Sequence, residues 1–179
     1  MSIKEYFGNW YLIKQYFRGN HKGVGNIKKT AEFNFYFDPE AANIVLDEAT
    51  CPIKIVTWET CLDSSQMIPL KWRMQALAGN NNPMTQLLDP VEKKCYTNSI
   101  HKNWICCDNF LAVCFILPEI VKKKTKHHAT IELGGKYTRG QMILDHLHVE
   151  KKNVEIIEEI DVEKYMKFML MICGHDVEF

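Results

Sequence analysis

At 179 residues with 46% apolar side chains, the chain has the length and composition of one folded domain, which excludes a disordered polymer. Lysine plus arginine and aspartate plus glutamate each number 22, so no net charge favours nucleic acid or an acidic membrane surface as a partner. No apolar run approaches the length of a membrane span, and seven cysteines without a Cys-x-x-Cys pair indicate neither a zinc site nor a disulfide framework.

The first 19 residues are rich in aromatic side chains, and we treat 1–19 as a segment separate from the body of the chain, 20–179. Charged residues interrupt its apolar positions, so the segment lacks the apolar centre of a signal peptide. We therefore expect a cytoplasmic protein, with its cysteines reduced and buried as small hydrophobic side chains.

The stretch from Asn26 to Ala42 places three polar side chains just before a strong helix start. Asn26, Glu32 and Asn34 combine amide donors, amide acceptors and a carboxylate, which is the mixture that several sugar hydroxyls require. Asp38 can cap free backbone N–H groups, and Pro39 has a φ preset for the first helical position. The pattern predicts a polyol site beside a rigid helix, while the alternative is that the three residues only form turns and caps.

Apolar periodicity predicts alternating helices and strands downstream, which is typical of an α/β layer fold. We expect helices over 38–48, 69–78, 109–117 and 161–173, and strands over 53–56, 128–133, 141–147 and 153–160. Asp108 directly precedes the third helix and Asp161 opens the fourth, so both are predicted N-caps. The basic run 122–128 is expected to be a solvated loop.

These motifs together resemble the inosine/uridine-preferring nucleoside hydrolases. The matching residues are Gly25-Asn26, Ala31-Glu32-Phe33-Asn34, Asp38-Pro39-Glu40-Ala41-Ala42, Cys51-Pro52-Ile53, Trp58-Glu59, Asp108 with Leu111-Ala112-Val113, Tyr137 to Met142, and Asn153-Val154. The likeness runs from about residue 20 to residue 173 and corresponds to the C-terminal half of such an enzyme.

The resemblance implies a partial Rossmann-like α/β fold with a mainly parallel sheet flanked by helices. It implies a family reaction in which the N-glycosidic bond of purine and pyrimidine ribonucleosides is hydrolysed to base and ribose. By position, Asn26, Glu32 and Asn34 would bind the ribose hydroxyls and Asp108 would ligate calcium. The implied partner is a ribonucleoside, and a homo-oligomer stays open.

Two departures from the family pattern put catalysis by this chain in doubt. Members of the family carry an aspartate-rich Asp-x-Asp-x-Gly-x-Asp-Asp run that grips calcium and supplies the base, and the eight aspartates here are scattered instead. Calcium takes six to eight oxygen ligands, so Asp108 alone is a poor site. Cys107 stands where relatives often have a histidine that protonates the leaving base, and we favour a buried spacer there. We therefore expect a truncated relative with little or no turnover.

Two alternatives remain at the level of sequence. A non-catalytic fragment that binds a partner would keep the same fold without the activity. A lipocalin-like carrier is suggested by Gly8-Asn9-Trp10-Tyr11, which resembles the Gly-x-Trp opening of that family, but it requires about eight regular strands where helix signals are present.

Overall fold

The computed structural model describes residues 22–78, 82–97 and 102–178. The aromatic-rich segment 1–19 and the Gly8 to Tyr11 motif lie outside the described residues. The helices are α1 Phe33–Phe37, α2 Pro39–Glu48, α3 Trp58–Leu62, α4 Pro83–Tyr96, α5 Cys107–Ile116 and α6 Val162–Ile172, with a π-helical turn at Trp72–Leu77. The strands are β1 Ile53–Val56, β2 Ile68–Pro69, β3 Asn103–Trp104, β4 Val121–His127, β5 Ala129–Ile131, β6 Met142–Leu144 and β7 Val154–Ile160.

The main sheet has the order β1-β7-β4. The central strand β7 runs parallel to β1, with Ile53 opposite Val154, and antiparallel to β4, with His127 opposite Val154. β5 and β6 form the antiparallel hairpin predicted around Gly134-Gly135, and β2 pairs with β3. The predicted α/β fold, a sheet flanked by helices, is thereby confirmed. The expectation was a mainly parallel sheet, and of the two pairings in the described main sheet β1–β7 is parallel and β7–β4 antiparallel. Six helices are present in the described part of the chain, which does not match a lipocalin barrel.

Two apolar cores form around this sheet. The α2 core contains Phe35 and Leu46 from the helices, Ile53 and Ile55 from β1, Val154 and Ile156 from β7, and the buried residues of the β5–β6 hairpin. The α5/α6 core contains Phe110 and Tyr165 from those helices, together with Val56, Ile157 and Ile160. Because β1 and β7 contribute to both cores, the sheet ties the two halves of the molecule together.

Two predicted helix caps are confirmed. Asp38 accepts a hydrogen bond from the backbone N–H of Ala41 at 2.9 Å, with Pro39 in the first turn of α2. Asp161 accepts from the N–H of Lys164 at 3.1 Å and begins α6. That N–H donor, followed by the charge of Lys122, lowers the pKa of the Asp161 carboxyl below its usual value.

Helix α4 is absent from the predicted elements. Asn82 caps this helix by accepting from Met84 N–H at 2.8 Å. Pro83 occupies the first turn, which is where proline is favoured. Asn82 and Pro83 are thus a helix start signal.

The prediction that the basic run is a solvated loop is wrong. Residues 121–127 form β4, because its lysines meet the acidic side chains of β7 across the ladder. Lys124 lies 3.3 Å from Glu155, and Lys123 pairs with Glu158. The predicted strand at 153–160 is confirmed as β7. The lysines lie on β4, an edge strand of this sheet, where charged side chains are a usual protection.

None of the helices within the described ranges has both the length and the apolar character needed to cross a membrane.

Candidate functional site

The polar segment begins with a tight loop over residues 25–31. Gly25 N–H donates to Lys29 O at 3.1 Å, and Asn26 N–H donates to Ala31 O at 3.2 Å. A Cβ at Gly25 would lie 2.0 Å from Lys28 O, so only glycine fits this approach. The loop thus returns the chain to Ala31, which is fully buried, directly before α1.

Asn26, Glu32 and Asn34 gather at the start of α1. Asn26 Oδ1 accepts from Phe33 N–H at 2.8 Å, and Glu32 Oε2 accepts from the N–H groups of Asn34 and Phe35 at 2.8 and 3.3 Å. Glu32 is 1% exposed, Asn34 is half-buried and Asn26 is exposed. The structure therefore brings the three predicted sugar-binding residues together, with two of them also used as caps.

Glu59 is a residue of this region that sequence reasoning did not single out. It is 6% exposed in α3, and its Oε1 accepts from the backbone N–H groups of Lys22 and Val24 at 2.9 and 3.0 Å. A buried carboxylate needs such donors, because desolvation without them is costly. Glu59 thus fixes the approach to Gly25. The signal was the Trp58-Glu59 pair directly after a buried strand.

Asp108 lies in the first turn of α5, where it is exposed. The N-cap of that helix is Cys106, so the prediction that Asp108 is the cap is wrong. The helix begins two residues earlier than expected because Cys107, Phe110 and Cys114 all enter the α5/α6 core. Asp108 therefore projects from the helix itself.

Cys107 is buried and forms a disulfide with Cys61 of α3. The expectation that all cysteines are reduced is wrong for this pair, while Cys51, Cys95, Cys106, Cys114 and Cys173 are free thiols. A disulfide sulfur has no proton to donate, so Cys107 in this state cannot stand in for the family's leaving-group acid. Burial raises the pKa of the neighbouring Cys106 thiol to about 12, which makes Cys106 a poor substitute.

Helix α3 connects the two parts of the predicted site. Through Glu59 it holds the backbone just before Gly25, and through Cys61 it is bonded to the residue next to Asp108. It also follows the carboxyl end of β1, the edge of an open parallel sheet where ligands bind. The sugar-binding and metal-binding roles stay predictions.

The described residues do not make a calcium site by themselves. No group of three or more histidine, cysteine, aspartate or glutamate side chains within 22–78, 82–97 and 102–178 could hold a metal ion. Asp108 offers one carboxylate, whereas calcium takes six to eight oxygens. The donor set therefore does not fit the cofactor that the resemblance implies.

The hairpin turn over residues 134–140 packs against α1 and α2. Arg139 Nη2 donates to both carboxylate oxygens of Glu40, at 2.8 and 2.9 Å. Hydrogen bonding from Arg139 lowers the pKa of the Glu40 carboxyl. Gly140 has a φ of +83°, and a Cβ there would lie 2.7 Å from Tyr36 Cα. Glycine is needed for both reasons.

Solved structures of nucleoside hydrolases share this fold. The structure superposes on an inosine-guanosine nucleoside hydrolase with a TM-score of 0.76 and 25% identity, covering 89% of this chain and 51% of the other. It also matches a purine-preferring ribonucleoside hydrolase from Gardnerella vaginalis in fold, with a TM-score of 0.71 and 21% identity over 87% of this chain and 50% of that one.

Sequence comparison places the chain in one family. The family described as inosine-uridine preferring nucleoside hydrolase matches residues 16–167. The enzyme of that name from Crithidia fasciculata is 26% identical over 156 residues, which are 85% of this chain and 48% of the relative. A pyrimidine-specific ribonucleoside hydrolase RihA from Klebsiella pneumoniae is 23% identical, with 84% and 49% covered. The chain belongs to the inosine-uridine preferring nucleoside hydrolase family, and it spans about half the length of these relatives.

Proposed function

We propose that this chain supplies the ribose-binding half of a nucleoside hydrolase fold, with Asn26, Glu32 and Asn34 as the contacts to ribose hydroxyls. The observation that carries the proposal is the use of Asn26 and Glu32 to hold three successive backbone N–H groups, those of Phe33, Asn34 and Phe35. A polar set fixed in this way loses little conformational entropy when it binds a ligand.

Asp108 is proposed as one ligand of a calcium site whose remaining ligands are not among the described residues of this chain. The support is the family relationship, the oxygen chemistry of a carboxylate and the exposure of Asp108 in the first turn of α5. The aspartates of the sequence are scattered, so the chain has no Asp-x-Asp-x-Gly-x-Asp-Asp run of the kind expected to supply the base. We therefore propose that it hydrolyses nucleosides slowly or not at all.

Binding and turnover by the purified chain test these two statements separately. Inosine should bind through its ribose, and Asn34→Ala should weaken binding about tenfold, the loss expected for about one hydrogen bond. Asn103→Ala, in β3, is the matched control and should leave affinity unchanged. Equal affinities of the unmodified chain and both variants for inosine would show that Asn34 does not contact the ribose.

Release of base from inosine or uridine measures turnover, and we expect little or none above background. Release that is abolished by a chelator and by Asp108→Ala, but not by Asp47→Ala on the exposed face of α2, would contradict the proposal of an inactive chain. It would also show that Asp108 holds the metal. The binding experiment above would still decide the ribose site.

A second candidate function is non-catalytic association, and helix α4 favours it. The helix turns Thr85, Asp89 and Glu92 inward, where Arg73 pairs with both acids. Its outward stripe is apolar and exposed, formed by Met84, Leu87, Leu88 and Val91. A stripe with spacing i, i+3, i+4 and i+7 on an antiparallel helix pair is self-complementary, so the occupant we propose is a second copy of the chain.

Light scattering after size exclusion tests this association. The unmodified chain should elute as a dimer, and Leu87→Glu with Val91→Glu should give a monomer. Leu147→Glu with Val149→Glu is the matched control, because both residues are exposed apolar side chains outside α4. A monomer in every case would exclude the dimer.

A further inference from the structure

A cationic cavity of about 430 Å³ lies between the loop that carries Lys28 and Lys29 and the hairpin turn at 134–139. Its walls are a Gly-Gly backbone, four cationic side chains and two tyrosines, namely Lys28, Lys29, Lys136, Arg139, Tyr36 and Tyr137. None of the described lining residues carries a carboxylate. The cavity is therefore a positively charged recess in a chain whose positive and negative residues otherwise balance.

Most of this positive charge is not compensated by nearby acids. Glu40 pairs with Arg139, so that guanidinium is neutralised. Within the described part of the chain, the three lysines have no carboxylate at ion-pair distance. Glu132, which is in the same hairpin, instead uses Oε1 to accept from Gly134 and Gly135 N–H at 2.8 and 3.0 Å. Three lysine ammonium groups without an ion pair therefore line the cavity, against the one carboxylate of Glu132 bound to its Gly-Gly backbone.

The tyrosines hold two of the ammonium groups in place. Lys28 Nζ lies 4.9 Å from the centre of the Tyr36 ring, and Lys136 Nζ lies 5.4 Å from the centre of the Tyr137 ring. Cation–π contacts of this kind position an ammonium without cancelling its charge or using its N–H donors in ion pairs. Both lysines therefore keep donors for an anion.

The two walls are joined before any ligand binds. Thr30 Oγ1 donates to Tyr137 O at 3.1 Å, which links the loop to the turn. Within the turn, Gly140 N–H donates to Glu132 O at 2.7 Å and Arg139 N–H to Gly135 O at 3.0 Å. A recess formed in this way needs little rearrangement to accept a ligand.

We propose that this cavity binds a phosphate monoester. Lysine ammonium groups suit a phosphoryl group, which presents several acceptor oxygens and close to two negative charges near neutral pH. The volume is in the range of small-molecule sites and leaves room for an organic part beside the phosphoryl group. Two sources share this chemistry, a sugar phosphate and a nucleoside 5′-monophosphate. None of the three proposed ribose contacts is among the residues that line the cavity, so the proposal does not depend on them.

Calorimetric titration of the full chain with paired compounds tests the proposal. Ribose 5-phosphate is compared with ribose, and inosine 5′-monophosphate with inosine, at low ionic strength. We expect at least one ester to bind about tenfold or more tightly than its parent, the effect of one or two charge-assisted hydrogen bonds. The tighter ester identifies the source.

Three variants locate the effect. Lys28→Gln with Lys136→Gln should abolish the preference for the ester, whereas Lys28→Arg with Lys136→Arg should keep it. The matched control is Lys123→Gln with Lys124→Gln, which removes the same charge from β4, where both lysines pair with acids. Equal binding of esters and parents, or an equal loss in both glutamine variants, would overturn the proposal. Far-ultraviolet circular dichroism confirms that each variant is folded.

Discussion

Buried carboxylates order the backbone on both sides of the tight loop. Glu32 and Glu59 are 1% and 6% exposed, and each accepts two backbone N–H groups. Bonds to an ionised acceptor are stronger than neutral ones, and they offset the cost of removing the carboxylate from water. The polar segment is thus held at its entry by Glu59 and at its exit by Glu32.

Glu32→Ala should therefore destabilise the fold more than loss of an exposed cap. We expect a loss of about 2 kcal/mol in the free energy of unfolding, at the upper end for an N-cap, because the N–H groups of Asn34 and Phe35 lose a buried acceptor. Asp38→Ala, which removes the exposed cap of α2, should cost about 1 kcal/mol. Urea denaturation measures both, and equal losses would show that the burial of Glu32 adds nothing.

The Cys61–Cys107 bond gives a second prediction at this scale. Unfolded but unreduced protein should show five reactive thiols with Ellman's reagent, and seven after reduction. Cys107→Ser should raise the first number from five to six, since Cys61 is released from the disulfide. Cys95→Ser, the control, should lower it by one. Seven thiols before reduction would show that the bond does not form.

Residue chemistry could be predicted from sequence where it acts locally. The caps at Asp38 and Asp161 follow from their position before an apolar periodic run, and the structure places them as expected. Asp108 has the same local pattern, but Cys107 packs into the α5/α6 core and the helix begins there. Asp108 therefore lies inside the first turn instead of at the N-cap. The disulfide could not be predicted, because it joins residues 46 positions apart through tertiary contact.

Among the elements, those stabilised by charged neighbours were the hardest to predict. β4 has four lysines and little apolar alternation, so its extended form depends on the glutamates of β7, which no local pattern reveals. Helix α4 turns its polar residues inward and its apolar residues outward. The usual rule that the apolar face of a helix is buried would therefore predict the wrong face against the core. The β5–β6 hairpin, by contrast, has alternation and a Gly-Gly turn, and it was predicted.

The docking of the hairpin turn onto α1 rests on Gly140. Gly140→Ala should cost at least about 2 kcal/mol, because an L-residue is strained at its positive φ and the new Cβ meets the backbone of Tyr36. Gly134→Ala is the matched control in the same turn: its Cβ would meet nothing closer than 3.9 Å, and the change should stay within about 0.5 kcal/mol. Thermal or urea unfolding distinguishes the two, and similar small losses would show that the turn can move away from α1.

At the scale of the whole molecule, the two cores share one sheet. Neighbouring residues of β7, Ile156 and Ile157, belong to different cores, as do Ile55 and Val56 of β1. Separating the cores would expose both faces of the same strands. The chain, which spans about half the length of its relatives, should therefore unfold as one cooperative unit rather than as two independent layers.

The tryptophans make this testable, because Trp58, Trp72 and Trp104 all belong to or pack against the α5/α6 core. In a Trp10→Phe background, their fluorescence reports that core alone. Phe35→Ala, in the α2 core, should remove about 3–5 kcal/mol and shift the fluorescence transition as far as the far-ultraviolet circular dichroism transition. Phe110→Ala is the control, because Phe110 lies in the same core as the tryptophans and its loss should shift their fluorescence transition directly. If Phe35→Ala leaves the tryptophan transition in place while the circular dichroism changes, the cores unfold separately and β7 does not couple them.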